Sequence, residues 1–180
     1  MKTKFISTIG IVTALFAGSA VAQPEKHPEA EKAMAKIALQ KDFGKELKFH
    51  SRDVVTMTKN DKVPGLNGLM FLNWFGGAPD TKVSAEVLWF EKKDDLIKFF
   101  TSRTKGNDLK LDEFNGTKIW NIGEDDYAWT DGEHFMVSLV GSSRPPEEMV
   151  KDLLAMIGSK VEEIEKQRKN EQAPREPEKE

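Results

Sequence analysis

Ser102 and Lys105 stand at the S-x-x-K spacing, in which the lysine can activate the serine as an acyl-transfer nucleophile. Enzymes with that chemistry also carry S-D-N and K-T-G motifs, and the sequence contains neither. The pattern falls at the end of a short, charged helical segment, and so brief a pattern recurs by chance. We therefore interpret Ser102 as an ordinary helix residue rather than a nucleophile.

Metal ligation has little support in the sequence. No two of the histidines, His27, His50 and His134, lie at an i, i+4 or H-x-H spacing suited to a metal ion. Cysteine is absent, which excludes disulfides, thiolate chemistry and Cys-ligated metals. We expect surface or strand-paired histidines, with His134 facing Trp129 across a turn, and we expect no metal and no other cofactor.

An acidic patch is predicted near the two candidate hairpins. Its members are Glu124, Asp125, Asp126 and Asp131, but the spaced carboxylates, glycine and closing glutamate of a calcium loop are missing. We interpret them as solvated turn residues. The segment 115–117, Asn-Gly-Thr, matches the N-glycosylation pattern, although a hairpin turn accounts for it as well.

Two turn dipeptides predict successive β-hairpins over 109–122 and 126–140. Asn115-Gly116 and Asp131-Gly132 tolerate the positive φ that both central residues of a type I′ turn require. Counting outward from the first turn pairs Phe114 with Thr117 and Leu111 with Trp120. That register predicts an apolar face of Leu109, Leu111, Trp120 and Ile122, opposite a mostly polar face of Lys110, Asp112, Ile119 and Asn121.

The second hairpin is apolar on both faces. A two-residue turn places Ala128, Phe135, Val137 and Leu139 on one face and Tyr127, Trp129, His134 and Met136 on the other. Burial of the second set under a helix is the favoured interpretation, since aromatic stripes are more often core. If that set is open, we expect it to be the face that contacts a ligand or partner.

Residues 1–22 have the features of a signal peptide. Lys2 and Lys4 precede an apolar run, and Ala20-Val21-Ala22 forms an A-x-A cleavage site. Removing 22 of the 180 residues leaves 158, with 25 basic and 30 acidic residues, so the net charge is −5. We expect export to the periplasm or beyond the cell, no later membrane span, and no nucleic-acid partner, because a basic surplus is lacking.

The remaining patterns predict helices and short strands around the hairpins. The predicted helices cover 27–43, about 94–104 and 147–164, and Gly158 is expected to end or bend the last of them. The predicted strands cover 45–49, 54–58, 69–75 and 83–91. Every strand connection is short enough for antiparallel pairing, so we expect an α+β fold. Its sheet would have about six to seven strands in a two-layer or partly three-layer sandwich. We expect one domain over 23–166 and a disordered charged tail over 167–180.

This order of strands, helix, two hairpins and helix resembles the layout of exported PsbP-type sandwich domains and of lipoprotein-carrier half-barrels. A shared layout implies a fold and not a function. The leading expectation is a non-catalytic exported module that binds a protein partner or a small apolar ligand. The alternatives are a small exported hydrolase with an active site of scattered residues, and a structural or assembly component.

Overall fold

The computed structural model describes residues 26–76, 81–104, 110–123 and 126–172. Within those ranges the chain forms one seven-stranded antiparallel sheet and four helices, which confirms the α+β class. The strands are β1 Leu47–Thr56, β2 Leu66–Gly76, β3 Lys82–Phe90, β4 Lys110–Phe114, β5 Thr117–Asn121, β6 Tyr127–Thr130 and β7 Phe135–Gly141. The helices are α1 Pro28–Ala35, α2 Lys93–Thr104, α3 Glu147–Ile157 and α4 Val161–Gln172. The strand order is β1-β2-β3-β7-β6-β5-β4.

The first hairpin forms as its turn residues predict. Asn115 and Gly116 have φ values of 53° and 78°, as a type I′ turn requires. Phe114 pairs with Thr117 and Leu111 with Trp120, the predicted register. The predicted apolar face is not uniformly buried, because Leu111 and Ile122 are 40% and 36% exposed. Both Ile119 and Trp120 are fully buried, on opposite faces of β5.

The register of the second hairpin differs from the prediction. Tyr127 pairs with Leu139, Trp129 with Val137 and Thr130 with Met136. The turn is longer than two residues because Asp131 Oδ1 accepts hydrogen bonds from the backbone N–H groups of residues 133, 134 and 135, at 2.8–2.9 Å. This odd shift of register moves Met136 to the face opposite Tyr127 and Trp129. The predicted grouping of Tyr127, Trp129, His134 and Met136 on one face is therefore wrong.

The sheet has two faces that we name by their residues. Face 1 carries Leu72, Ala85, Leu139 and Tyr127, which lie side by side on β2, β3, β7 and β6. Face 2 carries the alternate positions. They are Phe71, Glu86, Ser138, Ala128 and Trp120, across β2, β3, β7, β6 and β5.

Helix α1 packs against face 1. A Cβ atom at Gly68 would lie 3.0 Å from Met34 Cε and 3.3 Å from Ala30 Cβ, so the helix approaches β2 closely at that glycine. The segment after α1 continues over the same face, because Trp74 Nε1 donates to the Lys41 carbonyl at 2.9 Å. Lys41 in turn pairs with Glu148 and Asp152 of α3.

Helix α2 packs against face 2. The Phe100 ring stacks on Trp120 with centroids 4.4 Å apart, and Phe99 lies 5.4 Å from Phe90. Helix α4 is tied to the same face, because Glu162 pairs with Lys118, which shares a face with Trp120. Their contacts cover face 2 on the side of β3, β7 and β5.

Three predicted boundaries move in the structure. Helix α1 ends at Ala35 rather than at residue 43, because Ile37 and Leu39 alternate with exposed residues and are buried without a helical turn. The predicted strands 45–49 and 54–58 are one strand, β1, with a register shift between Phe49 and Ser51.

The last predicted helix is two helices. Gly158 has a φ of 78° and ends α3, and α4 then extends to Gln172, into the segment predicted as a disordered tail. The predicted signal peptide and residues 173–180 lie outside the described residues. No helix in the described ranges is long and apolar enough to cross a membrane.

Candidate functional site

Both faces of the second hairpin are closed at Trp129, Tyr127 and Met136. Trp129, Tyr127 and Met136 are 0%, 2% and 5% exposed, so all three belong to the core. Phe114 packs edge-on against Tyr127 with ring centroids 5.2 Å apart. His134 is exposed and lies apart from them, stacked on Trp89 at 5.5 Å with its Nδ1 2.9 Å from the Phe90 carbonyl oxygen. The structure thus does not bring the four predicted contact residues together.

The other sequence candidates have structural roles. Ser102 Oγ donates to the Phe99 carbonyl at 2.7 Å, and Lys105 lies outside the described residues. His27 caps α1, because its Nδ1 accepts from the Ala30 N–H at 3.3 Å. Among the acidic residues, Asp126 Oδ1 accepts from the Gly141 N–H at 3.2 Å, whereas Glu124 and Asp125 are not described. No group of three ligating side chains forms in the described ranges.

A shallow cavity of about 260 Å³ lies at the turn of the first hairpin. Its charged lining residues are already matched, because Lys118 pairs with Glu162 and Lys160 pairs with Glu163. Both pairs are exposed, and the Lys118–Glu162 pair links α4 to the sheet. The charged side chains that line this cavity are therefore paired with one another, and the cavity does not indicate a ligand site.

Face 2 is open over part of β1 and β2, from Phe71 to Phe75 on β2, whereas Leu69 on the same face of β2 is fully buried. We call this surface the open half; its residues are Ser51, Asp53, Phe71, Asn73, Phe75 and Ser84. Phe75 is 40% exposed, and Phe71, Asn73 and Ser84 are half-buried. On the opposite face of the same strand, Met70, Leu72 and Trp74 are fully buried. One strand therefore separates a closed core from an accessible surface.

A ladder of hydrogen bonds crosses the open half. Asn73 Nδ2 donates to Ser51 Oγ at 3.1 Å, and Ser84 Oγ donates to Asn73 Oδ1 at 2.8 Å. Ser51 Oγ also donates to Asp53 Oδ2 at 3.3 Å. The ladder links three strands through side chains, which fixes their rotamers and presents a preorganised polar strip between two phenyl rings.

Phe75 is held in place at the end of this strip. The His50 imidazole meets its ring edge-on with centroids 4.7 Å apart, and Lys82 Nζ lies 5.8 Å from the ring centroid. The register shift between Phe49 and Ser51 accompanies this arrangement, because His50 falls within the shift. An exposed phenyl ring braced in this way is a rigid apolar contact.

Glu86 lies where the open half meets α2. Its side chain is 9% exposed, and its Oε1 has no hydrogen-bond partner in the described part of the chain. Burial raises the pKa of the Glu86 carboxyl, and the Arg103 guanidinium acts in the opposite direction. Arg103 is placed 5.0 Å above the Phe99 ring. A buried acid that the fold leaves unpaired marks a candidate functional position.

The sequence contains weak signals for these residues. Asn73 interrupts a strand that is otherwise apolar on both faces, and Glu86 is the one acid among the β3 residues. Neither signal says which face stays uncovered, because that depends on where α2 packs. Comparison with protein-family models, with curated proteins and with solved structures gives no match.

Proposed function

We propose that the protein is an exported, non-catalytic binding module that contacts a protein partner or an apolar ligand through the open half. The observation that carries this proposal is the exposed Phe75 ring beside a preorganised polar ladder on an uncovered sheet face. Rigid aromatic side chains next to satisfied polar groups are typical of contact surfaces. The export part of the proposal rests on the sequence of residues 1–22.

The hydrolase alternative receives no support from the histidines. A general base must reach a nucleophile or a water molecule, with a further group to orient it. His134 is stacked on Trp89 with Nδ1 at the Phe90 carbonyl, His27 caps α1, and His50 packs on Phe75. A binding role explains the open half without requiring any of these side chains to leave its present partner.

The test uses two substitutions of equally exposed residues. Phe75→Thr removes the ring from the open half, and Leu111→Thr is its matched control, because both side chains are 40% exposed on strands of the same face. Tagged wild-type and variant proteins are purified from the native host, and the associated proteins and lipids are quantified by mass spectrometry. Thermal melts establish that both variants are folded.

We expect a defined set of molecules to accompany the wild-type protein and the Leu111→Thr variant, and to be reduced about tenfold with Phe75→Thr, as for a central aromatic contact. Equal recovery with Phe75→Thr, or equal loss with both variants, would contradict the proposal. In the same material, mass measurement of the N-terminus should show a chain beginning at Gln23. An uncleaved N-terminus would contradict the export proposal alone.

A further inference from the structure

Three residues form a row across the open half and its border with α2. Asp53 of β1 lies directly opposite Phe71 of β2, and Phe71 lies directly opposite Glu86 of β3. Side chains paired in this way share a face, with Cβ atoms about 4.5–5.5 Å apart. The row therefore sets one phenyl ring between two carboxylates.

Neither carboxylate has a cationic partner in salt-bridge contact within the described residues. Asp53 accepts a hydrogen bond from Ser51 Oγ at 3.3 Å, and Glu86 Oε1 is buried without a hydrogen-bond partner there. The nearby cation, Arg103, lies over the Phe99 ring and affects Glu86 only through the longer-range field. The row thus has two carboxyl groups that its described surroundings leave without a cationic partner in contact.

We propose that this row binds the ammonium group of a lysine side chain presented by a partner protein. The proposal rests on the binding function of the open half and names the chemistry of the group bound there. The face of a phenyl ring attracts a cation, and the two flanking carboxylates add charge-assisted hydrogen bonds. The lysine approaches from the β1 side, because Asp53 is exposed and α2 packs against β3 and β7.

The surroundings of the row favour a protein over a free amine. Sites for small molecules are concave and enclose most of the ligand. Here the row continues into the Asn73 ladder and the Phe75 ring along β2, which places charged, polar and apolar contacts side by side on one face. That mixture suits a second protein surface, in which the lysine is one contact among several.

The test is an NMR titration of the mature, isotope-labelled protein at neutral pH. The probes are an N-acetylated, C-amidated lysine peptide, the same peptide with norleucine in place of lysine, and n-butylammonium. We expect saturable shifts of the Phe71 and Glu86 side-chain signals with the lysine peptide. The dissociation constant should rise about fivefold in Asp53→Asn, as for loss of a solvent-exposed ion pair, and at least as much in Glu86→Gln, because the buried carboxyl is screened less by salt.

Glu133→Gln is the matched control, because Glu133 is an exposed acid that pairs with Lys93 outside the open half. It should leave the dissociation constant unchanged, and amide spectra verify that all three variants keep the fold. The proposal is overturned if no saturable shift occurs, if the norleucine peptide binds equally well, or if both row variants bind like wild type. Clearly tighter binding of n-butylammonium than of the lysine peptide would overturn the choice of a protein-borne lysine.

The two proposals fail in distinguishable ways. If Glu86→Gln keeps the associated molecules that Phe75→Thr loses, the lysine site is wrong and the binding function of the open half stands. If Phe75→Thr also keeps them, the binding function itself is wrong.

Discussion

Trp129 and Phe75 are both large aromatic residues in strands that are apolar on both faces, yet one is core and the other is surface. Trp129 is fully buried on face 1, whereas Phe75 is 40% exposed on face 2. Helix packing explains the exposure of Phe75, because the α2 contacts on face 2 lie toward β3, β7 and β5. On face 1 of the same strand, α1 and the segment after it close over Gly68 and Trp74. An aromatic stripe becomes a contact site only where no helix covers it.

The largest expected effect is on the closed side of this comparison. Trp129→Ala should lower the free energy of unfolding by about 3–5 kcal/mol, because it leaves a cavity in the core. Trp129→Phe should cost only about 1 kcal/mol, since it nearly conserves volume and removes an indole N–H that has no hydrogen-bond partner in the described structure. Urea unfolding followed by circular dichroism measures both. A loss below about 1 kcal/mol for Trp129→Ala would show that the side chain is not core.

We next expect a pH dependence of stability at Glu86, on the border between the open half and α2. Because burial raises the pKa of its carboxyl, the folded state holds a proton that the unfolded state has released. Stability therefore falls as the pH rises from the ordinary carboxyl pKa of 4.5 in the unfolded chain through the raised pKa of the folded state. Glu86→Gln lacks this step, so the variant should gain stability relative to wild type as the pH rises from acidic to neutral.

Thermal melts of wild type and Glu86→Gln across that pH range measure the change. If the difference between the two proteins stays constant with pH, Glu86 is not held against its charged form. In that case Glu86 would not be the unpaired buried acid that the lysine site requires.

The polar ladder of the open half should have a smaller effect on stability. Asn73→Ala removes two side-chain hydrogen bonds on a half-buried surface, and we expect a loss of about 1 kcal/mol. Urea unfolding measures this loss in the free energy of unfolding. Asn73→Asp is the comparison variant, since it keeps an acceptor for the Ser84 hydroxyl and loses the donor to Ser51. No loss in Asn73→Ala would mean that the ladder does not hold the three strands.

The smallest expected effect is at Phe75. Phe75→Thr should change the free energy of unfolding by no more than about 0.5 kcal/mol, because the ring is exposed and threonine suits a strand. Urea unfolding measures this change for Phe75→Thr and, for comparison, for Leu111→Thr. A loss as large as that of Trp129→Ala would place Phe75 in the core and remove the contrast between the two regions.

The sequence predicts the first hairpin well because its turn is decided locally. Asn115 and Gly116 adopt positive φ without help from the rest of the chain, and the register follows by counting. The predicted register of the second hairpin is wrong for an equally local reason, which the Asp131-Gly132 dipeptide alone does not indicate. The Asp131 side chain binds three successive backbone N–H groups and lengthens the turn.

The candidate site is harder to predict than the fold. Both faces of β2 read as apolar, and only the packing of α1 and α2 decides that Trp74 is buried and Phe75 exposed. Asn73 and Glu86 are visible as polar residues in strands, yet their bonding depends on partners that are distant in the sequence. Alternation assigns side chains to faces, and tertiary packing then decides which face meets solvent.

The most direct test of the open half is its accessibility to a soluble paramagnetic probe. In the protein expressed without residues 1–22, addition of the nitroxide TEMPOL should broaden the aromatic NMR signals of Phe75 strongly and those of Phe71 partly. The signals of Trp129 and Tyr127, which are 0% and 2% exposed, should remain sharp. Strong broadening of the Trp129 signals together with sharp Phe75 signals would contradict the claim that the open half is accessible. The second hairpin would then be the candidate contact face.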